Sequence, residues 1–248
     1  MSLAAVLIVK NEEKNIEDCL RALSFCDEII VVDSGSSDHT VLIASKYAKV
    51  LQRDFDNFST QKNYAISQAS SEWILSVDAD ERVVPALAEE IRKCLKAPTK
   101  EGYFLMRQNR IFFRWMRHGA NARDYQLRLV KKEKAQFQGL VHERIEPPIK
   151  AGYLQNELLH YSTNTMGGYM IKLNAYSSLE ARRLKESERP CSLRQMRWRP
   201  LFLLFYLSVW KRGILDGIEG LFFSVLSAYN EFVRYAKQWE LEKKEGMR

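Results

Sequence analysis

The sequence predicts an α/β fold built on a mostly parallel sheet flanked by helices, and three observations lead there. Apolar, β-prone runs alternate with helical spacing four times in the first 78 residues, and parallel strands need helical crossovers of this kind. Several of these runs end in acids, most clearly Trp73-Ile-Leu-Ser-Val-Asp78-Ala-Asp80-Glu81. Open α/β sheets bind ligands at the carboxyl ends of their strands. Finally, 248 residues with 46% hydrophobic and 28% charged content are enough to bury a sizeable core.

The elements follow in order. Met1 leads directly into the apolar run Leu3–Val9 with no basic region or cleavage pattern, so this run is a first strand rather than a signal peptide. Lys10-Asn11-Glu12-Glu13 follow. Asn11 is placed to cap a helix on which Ile16, Cys19, Leu20 and Leu23 recur at helical spacing. Glu28–Val32 is a second strand ending in Asp33, followed by the loop Ser34-Gly35-Ser36-Ser37-Asp38 and a helix over Thr40–Tyr47. A short strand at Lys49–Gln52 and a helix at Ser59–Ala69 lead to the strand at Trp73. Within 82–100 a helix begins after Pro85 and gives way to the linker Ala97-Pro98-Thr99. Tyr103–Met106, Gln126–Val130 and Phe137–Val141 are further strands. Between them Arg107, Arg110, Arg114, Arg117, Arg123 and Arg128 interleave with Phe112, Phe113 and Trp115. Guanidinium forks on a loop rim suit phosphate or anionic sugar, and a solvated rim accounts for them equally well.

After about residue 165 the composition changes, which divides the chain into a domain at 1–165 and a basic, amphipathic helical extension at 166–248. The segment 182–212 holds nine Lys or Arg against two acids, Glu186 and Glu188. Inside it, Leu201–Trp210 is apolar on every side. Ten helical residues reach about 15 Å against a bilayer core of about 30 Å, so the run cannot span. Flanked by Arg194, Arg197, Arg199, Lys211 and Arg212, it suits the interface of an anionic leaflet. Ile214, Ile218, Leu221, Phe222, Val225, Tyr229, Phe232 and Val233 continue at helical spacing. A helical hairpin packed on the first domain or on a second subunit would leave the same pattern. The net charge of +7 and pI near 9.2 fit anionic partners. The positive charge lies beside apolar runs rather than along a polar groove, which favours a membrane over nucleic acid. The four cysteines are scattered, without CxxC or metal spacing, and read as reduced thiols of a cytosolic protein.

Neither GxGxxG nor a P-loop is present. What remains is acids at strand ends: Glu12, Asp33, Asp78 and Asp80. Asp78 and Asp80 can face one cation, and oxygen ligands suit Mg²⁺ or Mn²⁺; an isolated Asp-x-Asp is more often a surface turn. A strand-end carboxylate can also accept hydrogen bonds from a ribose or base, although Asp33 and Asp38 can equally shape a turn and cap a helix. Glu143 follows Phe137–Val141 as a second acidic centre. His160, after Leu158-Leu159, is either a further metal ligand or a structural histidine.

Taken together, these residues resemble the family 2 inverting glycosyltransferases of the GT-A fold, and within them the bacterial lipopolysaccharide-core β-glucosyltransferase group. The matching stretches are Val9-Lys10-Asn11-Glu12, Val32 to Asp38, Gln61-Lys62-Asn63, Val77 to Glu81, Leu140-Val141-His142-Glu143, Leu159-His160 and Leu215-Asp216-Gly217-Ile218-Glu219-Gly220. They run in order along nearly the whole chain. The resemblance implies a nucleotide-sugar donor, expected to be a UDP-sugar, held by Asn11, Glu12, Asp33, Lys62 and Asp78. It implies Mg²⁺ or Mn²⁺ at Asp78 and Asp80, with His160 as a further ligand. Many members carry Glu-Asp where this chain has His142-Glu143, and the general-base role passes to Glu143. The acceptor is then a glycan or glycolipid, such as lipopolysaccharide core, and the site of work the inner face of the cytoplasmic membrane.

Two other readings fit parts of the sequence. A sugar-nucleotide nucleotidyltransferase also uses an α/β sheet and acidic metal ligands, but Lys10-Asn11-Glu12-Glu13 is too acidic to hold a triphosphate. A non-catalytic, membrane-docked nucleotide-binding protein would share the basic extension and lack transfer.

Overall fold

The computed structural model describes residues 1–122, 124–139, 143–147, 150–163, 165–187 and 190–246. Its contacts fall into two units, Met1–Arg107 with Asp124–His160, and Gln108–Arg123 with Tyr161–Arg248.

The first unit opens with β1 (Leu3–Val9), α1 (Ile16–Ala22), β2 (Glu28–Asp33), α2 (Thr40–Ala44), β3 (Lys49–Gln52), α3 (Phe58–Ser67) and β4 (Trp73–Ser76). These four strands lie side by side in the order β3-β2-β1-β4, all parallel, with Val9 beside Asp33 and Leu3 beside Trp73. The alternation read from the sequence is therefore the alternation of the fold. In chain order β5 (Glu81–Val83), α4 (Pro85–Lys96), β6 (Gly102–Ile111), β7 (Arg114–Trp115, in the second unit), β8 (Asp124–Lys131), β9 (Phe137–Gln138), β10 (Arg144–Ile145) and β11 (Ala151–Thr163) follow. β8 joins β4 antiparallel, and the sheet continues through β6 and β11 to β5, making it a mixed sheet. β4 thus stands between the parallel and antiparallel halves, with its carboxyl end at mid-sheet.

Both faces of the parallel half are covered, which is why β1, β2 and β4 are nearly continuously apolar. Successive side chains point to opposite faces. Trp73 and Leu75 accordingly join a layer with Leu7, Ile16, Leu20, Leu87 and Ile91. Ile74 faces the other way, into a layer with Val6, Ile30, Ile66 and Val130. α4 shows how sequence sets a helix: Pro85 occupies its first turn, where a missing N–H costs nothing, and Leu87, Ile91 and Leu95 bury one stripe. Truncating Ile91, fully buried in that stripe, to alanine would cost about 2–5 kcal/mol.

Two local expectations are corrected. Asn11 does not cap α1, which starts at Ile16 with Asn15 at its N-cap. Asn11 instead takes a left-handed φ of 56°, and its side-chain oxygen accepts the Ser37 N–H at 2.8 Å. The strand expected over Phe137–Val141 ends at Gln138, because Gly139 turns the chain with φ 101°. Leu140, Val141 and His142 lie outside the described residues.

The second unit holds α5 (Met166–Glu186), α6 (Leu193–Phe205) and α7 (Gly217–Gly246). α5 and α6 both pack along α7. A π-helical turn at Tyr206–Trp210 and a 3-10 turn at Gly213–Asp216 join α6 to α7. Gly213 and Gly220 meet backbone to backbone, with no room for a Cβ at Gly220. Ile111, Phe112 and Met116 form its small core with Tyr169, Phe223 and Leu226. No described helix is long and apolar enough to cross a membrane.

Candidate active site

β4 delivers the chain to a turn over Val77–Glu81 that closes on itself. Glu81 N–H donates to the Asp78 carbonyl, and Asp78 N–H donates to Glu81 Oε2, both at 2.9 Å. Glu81 is fully buried, so its second oxygen needs cations, and two arginines supply them. Arg128 donates to Glu81 Oε1 at 2.8 Å, and Arg107 meets the same oxygen at 3.4 Å. Arg107 also pairs with Asp124 at 2.6 Å, and Arg128 with Asp78 Oδ2 at 2.7 Å. Lys62, reaching from α3, contacts Asp78 Oδ1 at 3.1 Å and Glu143 Oε1 at 3.0 Å.

The result is one chain of alternating charge: Glu143, Lys62, Asp78, Arg128, Glu81, Arg107, Asp124. Burial alone would raise the Asp78 carboxyl, but Arg128 and Lys62 outweigh it and hold it well below the usual carboxylate range. For Glu81 burial prevails: it is raised, since the Asp78 charge offsets part of the relief from Arg128 and Arg107. Burial would lower Arg128, but Asp78 and Glu81 reverse this and raise it further. Asp78 keeps 33% of its side chain exposed while Lys62 and Arg128 keep 7% each. Within the Asp78–Lys62–Arg128 cluster, Asp78 is therefore the group most open to a ligand.

Asp80 is in the same turn, with its Oδ2 3.3 Å from His160 Nε2. His160 stands there because β11 pairs antiparallel with β5, placing His160 opposite Glu81. Among the described residues no group of three or more His, Cys, Asp or Glu side chains forms a metal site by itself. The carboxylate is nonetheless a donor that fits Mg²⁺ or Mn²⁺, which readily take further oxygens from phosphate and water, and the imidazole nitrogen beside it suits Mn²⁺ better than the harder Mg²⁺. The surrounding charge agrees, with five carboxylates (Asp78, Asp80, Glu81, Asp124, Glu143) against three permanent cations (Lys62, Arg107, Arg128). Asp78, expected as a metal ligand beside Asp80, has both oxygens turned to Arg128 and Lys62.

The remaining donor-site candidates form a separate knot after β1 and β2. Asp33 is fully buried, and it accepts the Gly35 and Ser36 N–H groups at 3.0 Å each and the Ser36 hydroxyl at 2.5 Å. Its carboxylate shapes the loop, and Gly35 at φ 78° allows the turn. Asn11 N–H donates to the Ser36 hydroxyl at 2.9 Å. Glu12 N–H donates to Thr40 Oγ1 at 2.7 Å, and Glu12 Oε2 accepts Asn15 Nδ2 at 2.8 Å. Gln61 Nε2 donates to Ser34 Oγ at 3.0 Å. Because Lys62 is the next residue, α3 links this knot to the charged chain.

Sequence reasoning placed Arg107 and Arg128 on a loop rim, whereas they lie inside strands as partners of buried acids. What it missed is the buried role of Glu81 and that Arg107 and Arg128 are its partners, with Asp124 beyond Arg107. A signal was present on β8: polar Asp124, Gln126 and Arg128 alternate with Tyr125, Leu127 and Leu129. Strict period two would put the polar set on one face, but the register shifts opposite Tyr103 and Phe104, and Leu127 and Leu129 fall in different core layers.

The sequence profile described as "Glycosyl transferase family 2" matches residues 4–156. The lipopolysaccharide core biosynthesis glycosyltransferase LpsC of Rhizobium meliloti (strain 1021) is 28% identical over 253 residues, covering 95% of this chain and 94% of that protein. An uncharacterized glycosyltransferase of Rickettsia bellii (strain RML369-C) is 28% identical over 260 residues, covering 96% and 86%. Among solved structures, S. aureus TarS 1-349 in complex with UDP-GlcNAc superposes with a TM-score of 0.51 at 14% identity, covering 99% of this chain and 92% of that one.

Proposed function

The chain belongs to glycosyl transferase family 2, and from that premise we propose that it is an inverting, metal-dependent hexosyltransferase that uses a UDP-sugar. Its fold is of the GT-A type and its activity is that of a glycosyltransferase. The donor nucleotide is our reading, supported by the UDP-GlcNAc bound to the similarly folded TarS. The acceptor is a glycan or glycolipid such as lipopolysaccharide core, supported by the likeness to LpsC. A lipid-linked acceptor would place the protein peripherally on the inner face of the cytoplasmic membrane.

The observation that carries this reading is Glu143 held beside Asp78 through Lys62, at 3.0 and 3.1 Å. Displacement at an anomeric carbon needs the acceptor hydroxyl to lose its proton as it attacks. Glu143 Oε2, the oxygen not facing Lys62, would take that proton. Lys62 would orient Glu143 and bring positive charge to the donor side. A single base with no enzyme nucleophile inverts the anomeric centre, as in inverting glycosidases. Mg²⁺ or Mn²⁺, held by Asp80 and His160, would supply neutralisation of charge on the departing diphosphate. Asp78, Asn11 and Glu12 would bind the nucleotide, with Asp33 holding their loop in shape.

Hydrolysis and transfer assays with a panel of nucleotide sugars in the presence of Mn²⁺ test this. Turnover of a UDP-sugar is expected; inactivity toward every sugar nucleotide, or formation of a sugar nucleotide from a triphosphate, would overturn it.

A further inference from the structure

In the unit formed by Gln108–Arg123 and Tyr161–Arg248, two turns distant in sequence are clasped together. Asp216 keeps only 2% of its side chain exposed. One of its oxygens accepts the backbone N–H groups of Arg117 and His118 at 3.0 and 2.7 Å, and the other lies 2.9 Å from His118 Nδ1. Gly119 N–H donates to the Lys211 carbonyl at 2.8 Å. The segment after β7 is thereby fixed to the turn joining α6 and α7. The β6–β7 turn also lies along the start of α7, for Phe112 meets Phe222 edge-on at 6.5 Å. The Arg114 guanidinium comes within 2.9 Å of where a Cβ on Gly217 would stand.

The clasped turns expose apolar side chains instead of burying them. Phe113 is 75% exposed and Trp210 74%, and Val209, Ile214, Leu215 and Ile218 are each more than half exposed. Exposed cations stand among them: Arg114, Arg117, Lys211 and Arg212. The acids of 108–122 and 206–222 are Asp216, engaged in the clasp, and the half-buried Glu219.

We propose that these two turns form one composite patch that seats in the interface of an anionic phospholipid bilayer. Phe113 and Trp210 enter the acyl boundary while the four cations meet lipid phosphates. This rests on the membrane attachment proposed above and deepens it, adding residues 108–119 to the contact and naming its leading side chains. Charge decides between a bilayer and a second copy of the chain. Interface cores are depleted of charge, and pairing this face with itself would bury like-charged arginines and lysines without partners. Lipid phosphates complement them.

Flotation of the full-length protein with phosphatidylglycerol-containing vesicles, at low and high salt and against phosphatidylcholine vesicles, tests the patch. The parent should bind the anionic vesicles and lose binding as salt rises. Phe113→Ser and Trp210→Ser should each weaken binding about tenfold, with UDP binding unchanged. Leu42→Ser, an exposed position on α2, should bind like the parent. If Trp210→Ser weakens binding but Phe113→Ser does not, the attachment stands and the composite patch is wrong. A parent that ignores anionic vesicles overturns both. A parent dimer that either substitution splits assigns the face to a second copy and overturns the bilayer.

Discussion

Lys62 Nζ stands 3.0 Å from Glu143 Oε1, joining residues 81 positions apart in the sequence. The same ammonium meets Asp78 at 3.1 Å, so one cation ties the proposed base to the proposed nucleotide site. The ring of Phe137 lies 5.0 Å beneath it. Glu143→Gln keeps the shape of the side chain and its contact with Lys62 while removing the base. Transfer should fall by roughly 10²–10⁴-fold, with UDP affinity retained. Turnover near the parent rate would leave Glu143 a structural partner of Lys62.

Arg128 is the cation on which the interior of the turn depends. It is buried and contacts both Asp78 and Glu81, at 2.7 and 2.8 Å. Arg128→Met would leave Glu81 Oε1 with the longer contact to Arg107, while Oε2 keeps the Asp78 N–H. Breaking one side of a buried pair costs about 3–5 kcal/mol, and urea unfolding should show a loss of that order. A loss under about 1 kcal/mol, the range of exposed pairs, would mean the network relaxes without it.

Glu28 offers a pH test away from the site. Its Oε1 accepts the Ser70 and Ser71 N–H groups at 2.8 and 2.7 Å, fastening the start of β2 to the segment before β4. Burial raises this carboxyl, but the hydrogen bonds from Ser71 and Ser70 prevail and lower it from its ordinary 4.5. The folded state then holds the proton less tightly than the unfolded chain. Its stabilisation is complete above 4.5 and disappears as pH falls through the lowered value. Glu28→Gln should cost about 0.5–1 kcal/mol at neutral pH, with the gap to the parent closing in acid. A gap that stays constant across thermal unfolding scans from neutral to acid pH would contradict this.

Local signals in the chain revealed much of this architecture. The parallel half was legible because each of its strands is a short apolar run bounded by a polar turn, and Asp78 and Asp80 sit at the end of such a run. Lys62 was legible only through likeness to the family, since nothing in Gln61-Lys62-Asn63 shows that its side chain reaches Glu143. Glu81 and Arg128 owe their roles to burial and to the pairing of β4 with β8, which are properties of the sheet rather than of any one segment. The clasp of Asp216 on His118 is a long-range contact of the same sort. Ile214 and Ile218 read as continuous helical spacing, whereas a 3-10 turn occupies Gly213–Asp216 and the helix starts at Gly217; nothing in the spacing shows what that turn holds.

Calorimetric titration of UDP, with and without Mn²⁺, into the parent and Asp80→Ala tests the central claim most directly. The Asp80–His160 pair at 3.3 Å predicts that Mn²⁺ strengthens UDP binding in the parent and that Asp80→Ala loses this gain while its thermal unfolding is unchanged. UDP binding that is indifferent to Mn²⁺ in the parent, or equally Mn²⁺-dependent in Asp80→Ala, would contradict the account.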